Sequence, residues 1–218
     1  SVIALDVPHV SVYMLEVDEN SRLGRELIAG GTRYHAHFVP DEDLTADRYE
    51  MACEQLNAAG VAQYEISNFA RGGFESRHNL KYWTRQPYLG FGVDAHSMLL
   101  SSGGDCEAVR FSTSDSLEQY VAEGPVNRTE VSRQAALEEE LFLGLRLNRG
   151  VDLEHVRSKL GAGAVTALSP LLAELSSFGC INWESDRVRL TGKGRLLSNE
   201  VFERFISGAS VEAAEKSS

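Results

Sequence analysis

The sequence has little from which a thiolate metal centre could be built. Its three cysteines, Cys53, Cys106 and Cys180, are spread over 218 residues and no two form a CxxC pair. Ligands spaced this way assemble neither a zinc site nor an iron–sulfur site. An odd, sparse set is no disulfide framework either, and it fits a reducing cytoplasm. Long apolar runs are also missing; none approaches the roughly 20 residues that span a bilayer. The opening SVIALDVPHV has no basic stretch ahead of an apolar block, so no signal peptide is expected within it. It reads instead as a helix end entering a strand, and the natural protein is expected to begin upstream. Positive charge is scarce. Lys and Arg number 21 against 32 Asp and Glu, a net charge of −11. Such a surface repels phosphate backbones and anionic lipid heads, which makes nucleic acid a poor partner.

What is present is an ordinary globular composition, 43% hydrophobic and 24% charged. Val10 to Val17 (VSVYMLEV) is β-branched, aromatic and almost unbroken in apolarity, the pattern of a strand buried on both faces. A short helix from about Asn20 closes at Gly30-Gly31. A second, from Asp43 to Ala59, carries Tyr49, Ala52, Cys53, Leu56 and Ala59 at helical spacing and ends at Gly60. VAQYEIS (Val61 to Ser67) reads as the next strand, which predicts a parallel βαβ unit. An irregular polar and aromatic segment follows from Asn68 to Pro87, then strand character over Tyr88 to Leu100. A helix is predicted from Thr129 to Leu147 on Leu137, Leu141 and Leu145. Asp152 is placed to cap another, and a third carries Leu168, Leu172 and Leu175 up to Gly179. CINWES and RVRLT then form a hairpin, with Ile181 and Trp183 facing Val188 and Leu190. A closing helix bears Leu197, Val201 and Phe205, so this half reads as a winged-helix-like module. Three parts are expected: 1–124, 125–207 with its boundary near Pro125, and a fraying tail 208–218.

The residues able to carry chemistry cluster in NFARGGFESRHNLKYW (Asn68 to Trp83). His78 and Tyr82 are four apart, so one helical turn puts them on one face. A histidine beside aromatic rings can ligate a haem iron or border a flat macrocycle. The plainer alternative is a hydrogen-bonded histidine, with Tyr82 and Trp83 packing the loop. His35 and His37 alternate but lack the third ligand a metal needs, and read as solvated side chains. His96 follows Gly90 and Gly92 at a strand end, where backbone can approach a ligand; a tight turn explains the glycines as well. Glu16, a carboxylate in an apolar strand, either bonds a ligand or marks where the strand leaves for solvent. TGKG (Thr191 to Gly194) lacks the length of a phosphate-binding loop and reads as the turn after the hairpin.

The string YEISNFARGGFESRHNLKYW, followed by YLGFGVDAHSM, closely resembles the HemW branch of the radical S-adenosylmethionine (SAM) proteins. The HNxxYW hexad, here His78, Asn79, Tyr82 and Trp83, is the branch marker. The likeness continues through SVYMLEV and VRLTGKGRLLSNEVF, and so covers most of the chain. It implies an α/β fold: the C-terminal part of a partial TIM-like radical SAM barrel, followed by a mostly helical, winged-helix-like domain. It also implies a cytoplasmic haem chaperone that delivers haem to respiratory haem proteins, and it leaves a homodimer open. His78, Asn79, Tyr82 and Trp83 become haem-binding candidates, and Glu16 and His96 SAM-pocket candidates. Members of the family hold a 4Fe-4S cluster and SAM on a CxxxCxxC loop, and this sequence has no such motif. Two alternatives stand beside this reading. One is the related oxygen-independent coproporphyrinogen III oxidase of porphyrin biosynthesis, from which the hexad separates this chain. The other is a winged-helix DNA reader, whose would-be recognition helix AVTALSPLLAELSSF has no cation to meet phosphate.

Overall fold

The computed structural model describes residues 2–101, 106–122, 124 and 126–206. Packing divides the chain into two units, Ser1–Glu75 and Ser76–Ser218. The boundary expected near Pro125 and the tail 208–218 fall outside the described residues.

In the first unit, β1 (His9–Ser11) is followed by α1 (Arg22–Ile28), a 3-10 segment over Arg33–Phe38, α2 (Glu42–Ala58), β2 (Ala62–Gln63) and β3 (Asn68–Ala70). Ser21 caps α1 through Gly24 N–H, and Asp41 caps α2 through Leu44 N–H at 2.8 Å. The helix ends follow the glycines: Gly30 and Gly60 take φ of 65° and 75°, which costs a residue without Cβ nothing. The sheet corrects the predicted βαβ unit. Both β1 and β2 pair antiparallel with β3, which lies between them. The outer strands therefore run the same way, yet never touch, because the chain doubles back through 64–67 and inserts Asn68–Ala70. Those three residues are all buried, and Phe69 is the centre of a cluster with Leu56 and Val61. The predicted strand Val10–Val17 shortens to His9–Ser11, plus one bond from Val12 N–H to Ser67 C=O. A ladder is only as long as its partner, and β3 is three residues long. Tyr13, Leu15 and Glu16 are consequently exposed.

In the second unit, α3 (Arg77–Trp83) precedes β4 (His96–Leu100), β5 (Cys106–Ser112), α4 (Leu117–Val121) and β6 (Asn127–Ser132). The three strands form an antiparallel sheet in that order, extended by an isolated bridge between Tyr88 and Met98. The predicted helix from Thr129 begins later. Thr129–Ser132 belong to β6, where Val131 is buried opposite Ala108, and Ser132 then caps α5 (Arg133–Gly144). Leu137, Leu141 and Leu145 are buried as the spacing predicts. Then come β7 (Val151–Asp152), α6 (Leu153–Leu160), α7 (Ala162–Ser177), β8 (Ile181–Glu184), β9 (Arg187–Leu190), α8 (Gly192–Leu196) and α9 (Ser198–Glu203). Asp152 caps α6, accepting from Glu154 and His155 N–H at 3.0 and 3.3 Å. The hairpin has the expected register, Trp183 with Val188 and Ile181 with Leu190. β7 adds an unexpected third strand beside β9. The closing helix is split in two at Leu197. Thr191 in TGKG caps α8, and a side chain at Gly194 would meet Cys180 O at 1.8 Å, so that turn requires glycine.

Among the described residues, no helix is long and apolar enough to cross a membrane.

Candidate functional site

The site is built around α3 in the second unit. Ser76 Oγ accepts from Asn79 N–H at 3.3 Å and starts the helix, which brings His78 and Tyr82 edge to face with centroids 5.0 Å apart. Tyr82 in turn meets Tyr88 at 4.7 Å. His78 is exposed, while Asn79, Tyr82 and Trp83 are half-buried. Trp83 sits under the Arg146 guanidinium, 4.3 Å from its ring centroid, a cation–π contact worth about 0.5–2 kcal/mol. Its indole N–H is buried without a hydrogen-bond acceptor among the described residues.

Two residues past Trp83 the backbone turns through a left-handed position, Arg85 at φ 47°. The turn carries the Arg85 side chain inward, where it is 1% exposed. Its Nε donates to Glu139 Oε2 at 2.9 Å, and Nη1 lies 3.5 Å from Glu140 Oε2. Arg110 from β5 meets the other oxygen of Glu139 at 2.7 Å, and Lys159 from α6 reaches Glu140 at 3.1 Å. This network fastens the C-terminal end of α3 to α5. The sequence reading missed it, because Glu139 and Glu140 sit in an EEE run that resembles a solvated face. The signal was their register: they fall three and four residues after Ala136 and precede Leu143, on the apolar stripe of α5.

Two cavities share Trp83 and Gln86 in their walls. One, of about 340 Å³, is apolar, with Tyr82, Tyr88, Met98 and Leu143 in its wall. The other, of about 590 Å³, is polar and includes Arg149, Asp152, Arg187 and Arg189. At its edge the Asp152 carboxyl is held below the ordinary carboxylate range, chiefly by the His155 backbone N–H, with Glu154 N–H and the Arg187 charge adding to it.

The remaining candidates lie elsewhere. Glu16 is exposed in an irregular segment of the first unit, so it is not a buried carboxylate. His96 opens β4, is exposed, and lies 3.6 Å from Asp94 Oδ1. The close approach at Gly90 is to the chain itself: a Cβ there would stand 2.3 Å from His96 O, which accounts for that glycine by a tight turn. His35 and His37 are exposed in a 3-10 segment rather than on a strand. Cys53 lies in α2, Cys106 in β5 and Cys180 just before β8, in three separate elements. Among the described residues, no set of three His, Cys, Asp or Glu could hold a metal ion.

Comparison with known proteins extends the geometry. Residues 131–197 match the HemN C-terminal domain. The heme chaperone HemW of Bacillus subtilis (strain 168) is 35% identical over 209 residues, covering 94% of this chain and 53% of the relative. Its counterpart in Lactococcus lactis is 31% identical over 206 residues, covering 93% of this chain and 51% of the relative. In fold, the chain is similar to coproporphyrinogen III oxidase (HemN) from Escherichia coli, a radical SAM enzyme, with a TM-score of 0.66 at 19% identity, over 94% of this chain and 49% of that one. The chain spans about half the length of the curated relatives it matches. Along nearly its whole length the chain is homologous to the heme chaperones HemW, and its residues 131–197 are a HemN C-terminal domain.

Proposed function

We propose that this chain is the haem-handling portion of a haem chaperone, with His78, Asn79, Tyr82 and Trp83 as the haem-binding residues. The observation that carries the reading is the aromatic surface running from His78 through Tyr82 to Tyr88, beside an apolar cavity. Haem is a flat apolar macrocycle that stacks on such rings, and a neutral imidazole can ligate its iron. The exposure of His78 leaves its ring nitrogens available to a ligand. The relatives' name, heme chaperone, points the same way.

The finer family picture belongs to the same proposal. The strands up to residue 124 are read as part of a TIM-like radical SAM barrel, and 125–207 as a mostly helical domain. The order α5, β7, α6, α7 and the β8–β9 hairpin supports a winged-helix-like description, although β6 pairs with β5 across Pro125. The whole protein would be cytoplasmic, would hold a 4Fe-4S cluster on residues this chain does not contain and bind SAM beside it, and would pass haem to respiratory proteins. Glu16 and His96 remain its proposed SAM-pocket positions, and a homodimer its proposed assembly.

The test is His78→Ala, measured twice on one protein. Ligation by His78 predicts a shifted or weakened Soret band, while the thermal midpoint stays within the change typical of a surface substitution, about 0.5 kcal/mol. A purely structural His78 predicts the reverse: an unmoved Soret band and the loss of its edge-to-face contact with Tyr82, about 0.5–1.5 kcal/mol.

A further inference from the structure

The polar cavity is lined by three arginines in a chain whose net charge is −11. Its own carboxylates are already occupied. Asp152 caps α6 and accepts from Arg187 Nη2 at 3.0 Å, while Glu140 meets Arg85, Lys159 and His155. Arg149 and Arg189 pair with no carboxylate among the described residues. The fold brings their chain segments into contact. Gly150 has φ 67°, and a Cβ there would stand 2.0 Å from Val188 O, so only glycine lets the turn after Asn148 lie against β9. That contact brings Arg149 C=O to Arg189 Nε at 3.3 Å. The bond holds one nitrogen of the Arg189 guanidinium and leaves the two terminal nitrogens without a protein acceptor among the described residues. Two guanidinium groups that line one cavity and have no carboxylate partner among the described residues can receive a carboxylate, since the planar fork matches the carboxylate geometry.

Trp83 and Gln86 line this cavity and also the apolar one. Trp83 thus borders both an apolar cavity and one that carries the unpaired arginines. Haem has this division, with an apolar ring and two propionate carboxylates on one edge. We propose that Arg149 and Arg189 receive the haem propionates; this rests on the haem-binding reading above. It assigns to the hairpin and the turn before β7 the task of orienting the ring, with the propionate edge toward the groove.

The experiment compares haem with haem dimethyl ester, whose carboxylates are capped, on the wild-type chain and on the Arg149→Gln/Arg189→Gln double variant. Both substitutions are at exposed positions. Binding is read from the Soret band. In parallel, arginine Nε–Hε signals are followed by NMR during titration with glutarate, a free dicarboxylate. The expected result is that the wild-type chain binds haem more tightly than the ester by about tenfold or more, the scale of losing charge-assisted hydrogen bonds. The double variant should bind haem only as well as the ester, and ester affinity should be the same for both proteins. Equal affinity for haem and ester in the wild type would overturn the proposal while leaving haem binding intact. Binding of neither porphyrin would overturn the haem reading and this assignment together, and glutarate shifts at Arg149 and Arg189 would then mark a site for free carboxylates only.

Discussion

The first unit and the helical end of the second solve the same problem with unequal means. Unit Ser1–Glu75 has strands of three, two and three residues, and a buried cluster of Leu56, Val61 and Phe69 with Val10, Val12 and Cys53 against it. Much of its apolar surface is exposed, including Leu5 at 72%, Tyr13 at 73% and Phe38 at 72%. From Arg133 to Phe205, by contrast, Leu141, Leu153, Val156, Leu172, Ile181 and Val188 are at most 2% exposed, and helix caps and a three-stranded sheet satisfy the backbone around them. Apolar burial is the main source of stability, at about 25 cal/mol per Å². The second region should therefore hold together where the first opens. Limited proteolysis checks this: a protected fragment beginning near Ser76 is expected, and a protected N-terminal fragment would reverse the comparison.

Substitutions sharpen the difference. Glu139→Ala has the largest expected effect, because it removes the carboxylate that Arg110 and the buried Nε of Arg85 share and leaves Arg85 only the longer contact to Glu140. Removing one partner of a buried ion pair costs about 3–5 kcal/mol, and denaturant unfolding of the second unit measures it. Next come two matched truncations, Leu141→Ala in α5 and Leu56→Ala in α2, each worth roughly 2–5 kcal/mol. Only Leu141→Ala should shift the unfolding transition of the second unit. Leu56→Ala should instead speed cleavage within the first 75 residues. A shared shift from both would mean the two units unfold as one.

The smallest effect is a pH dependence. The folded-state pKa of Asp152 is lowered, so its contribution is fully present above the unfolded value of about 4 and is lost as pH falls through the lower folded value. Asp152→Asn keeps a capping oxygen but does not titrate. The wild type should be the more stable at neutral pH, and thermal melts should show the gap closing as pH falls below about 4.

Legibility followed the same division. The helical end could be read because local chemistry decides it: Asp152 caps, Gly179 at φ 70° stops α7, and the hairpin alternates. The sheet around β3 could not, because a three-residue strand is defined by its neighbours and not by its own pattern. β6 was hidden within a helix-like run, and β7 is two residues long. At the site, the hexad was visible as a motif and its His78–Tyr82 stacking followed from helical spacing. The arginines of the polar cavity were not visible as a group. Arg149 joins Arg187 and Arg189 only through a glycine turn packed on β9, a contact about forty residues apart in sequence.

The most direct test of the central claim uses the chain's two tryptophans, Trp83 and Trp183. Trp183→Phe removes the half-buried hairpin indole at the cost of one bond to Ser185 C=O, so Trp83 becomes the sole source of indole emission. Haem is then titrated in. Haem seated against α3 predicts saturable, one-to-one and nearly complete quenching of Trp83, weakened in the His78→Ala background. Trp83 emission that stays unchanged through an excess of haem would contradict the account.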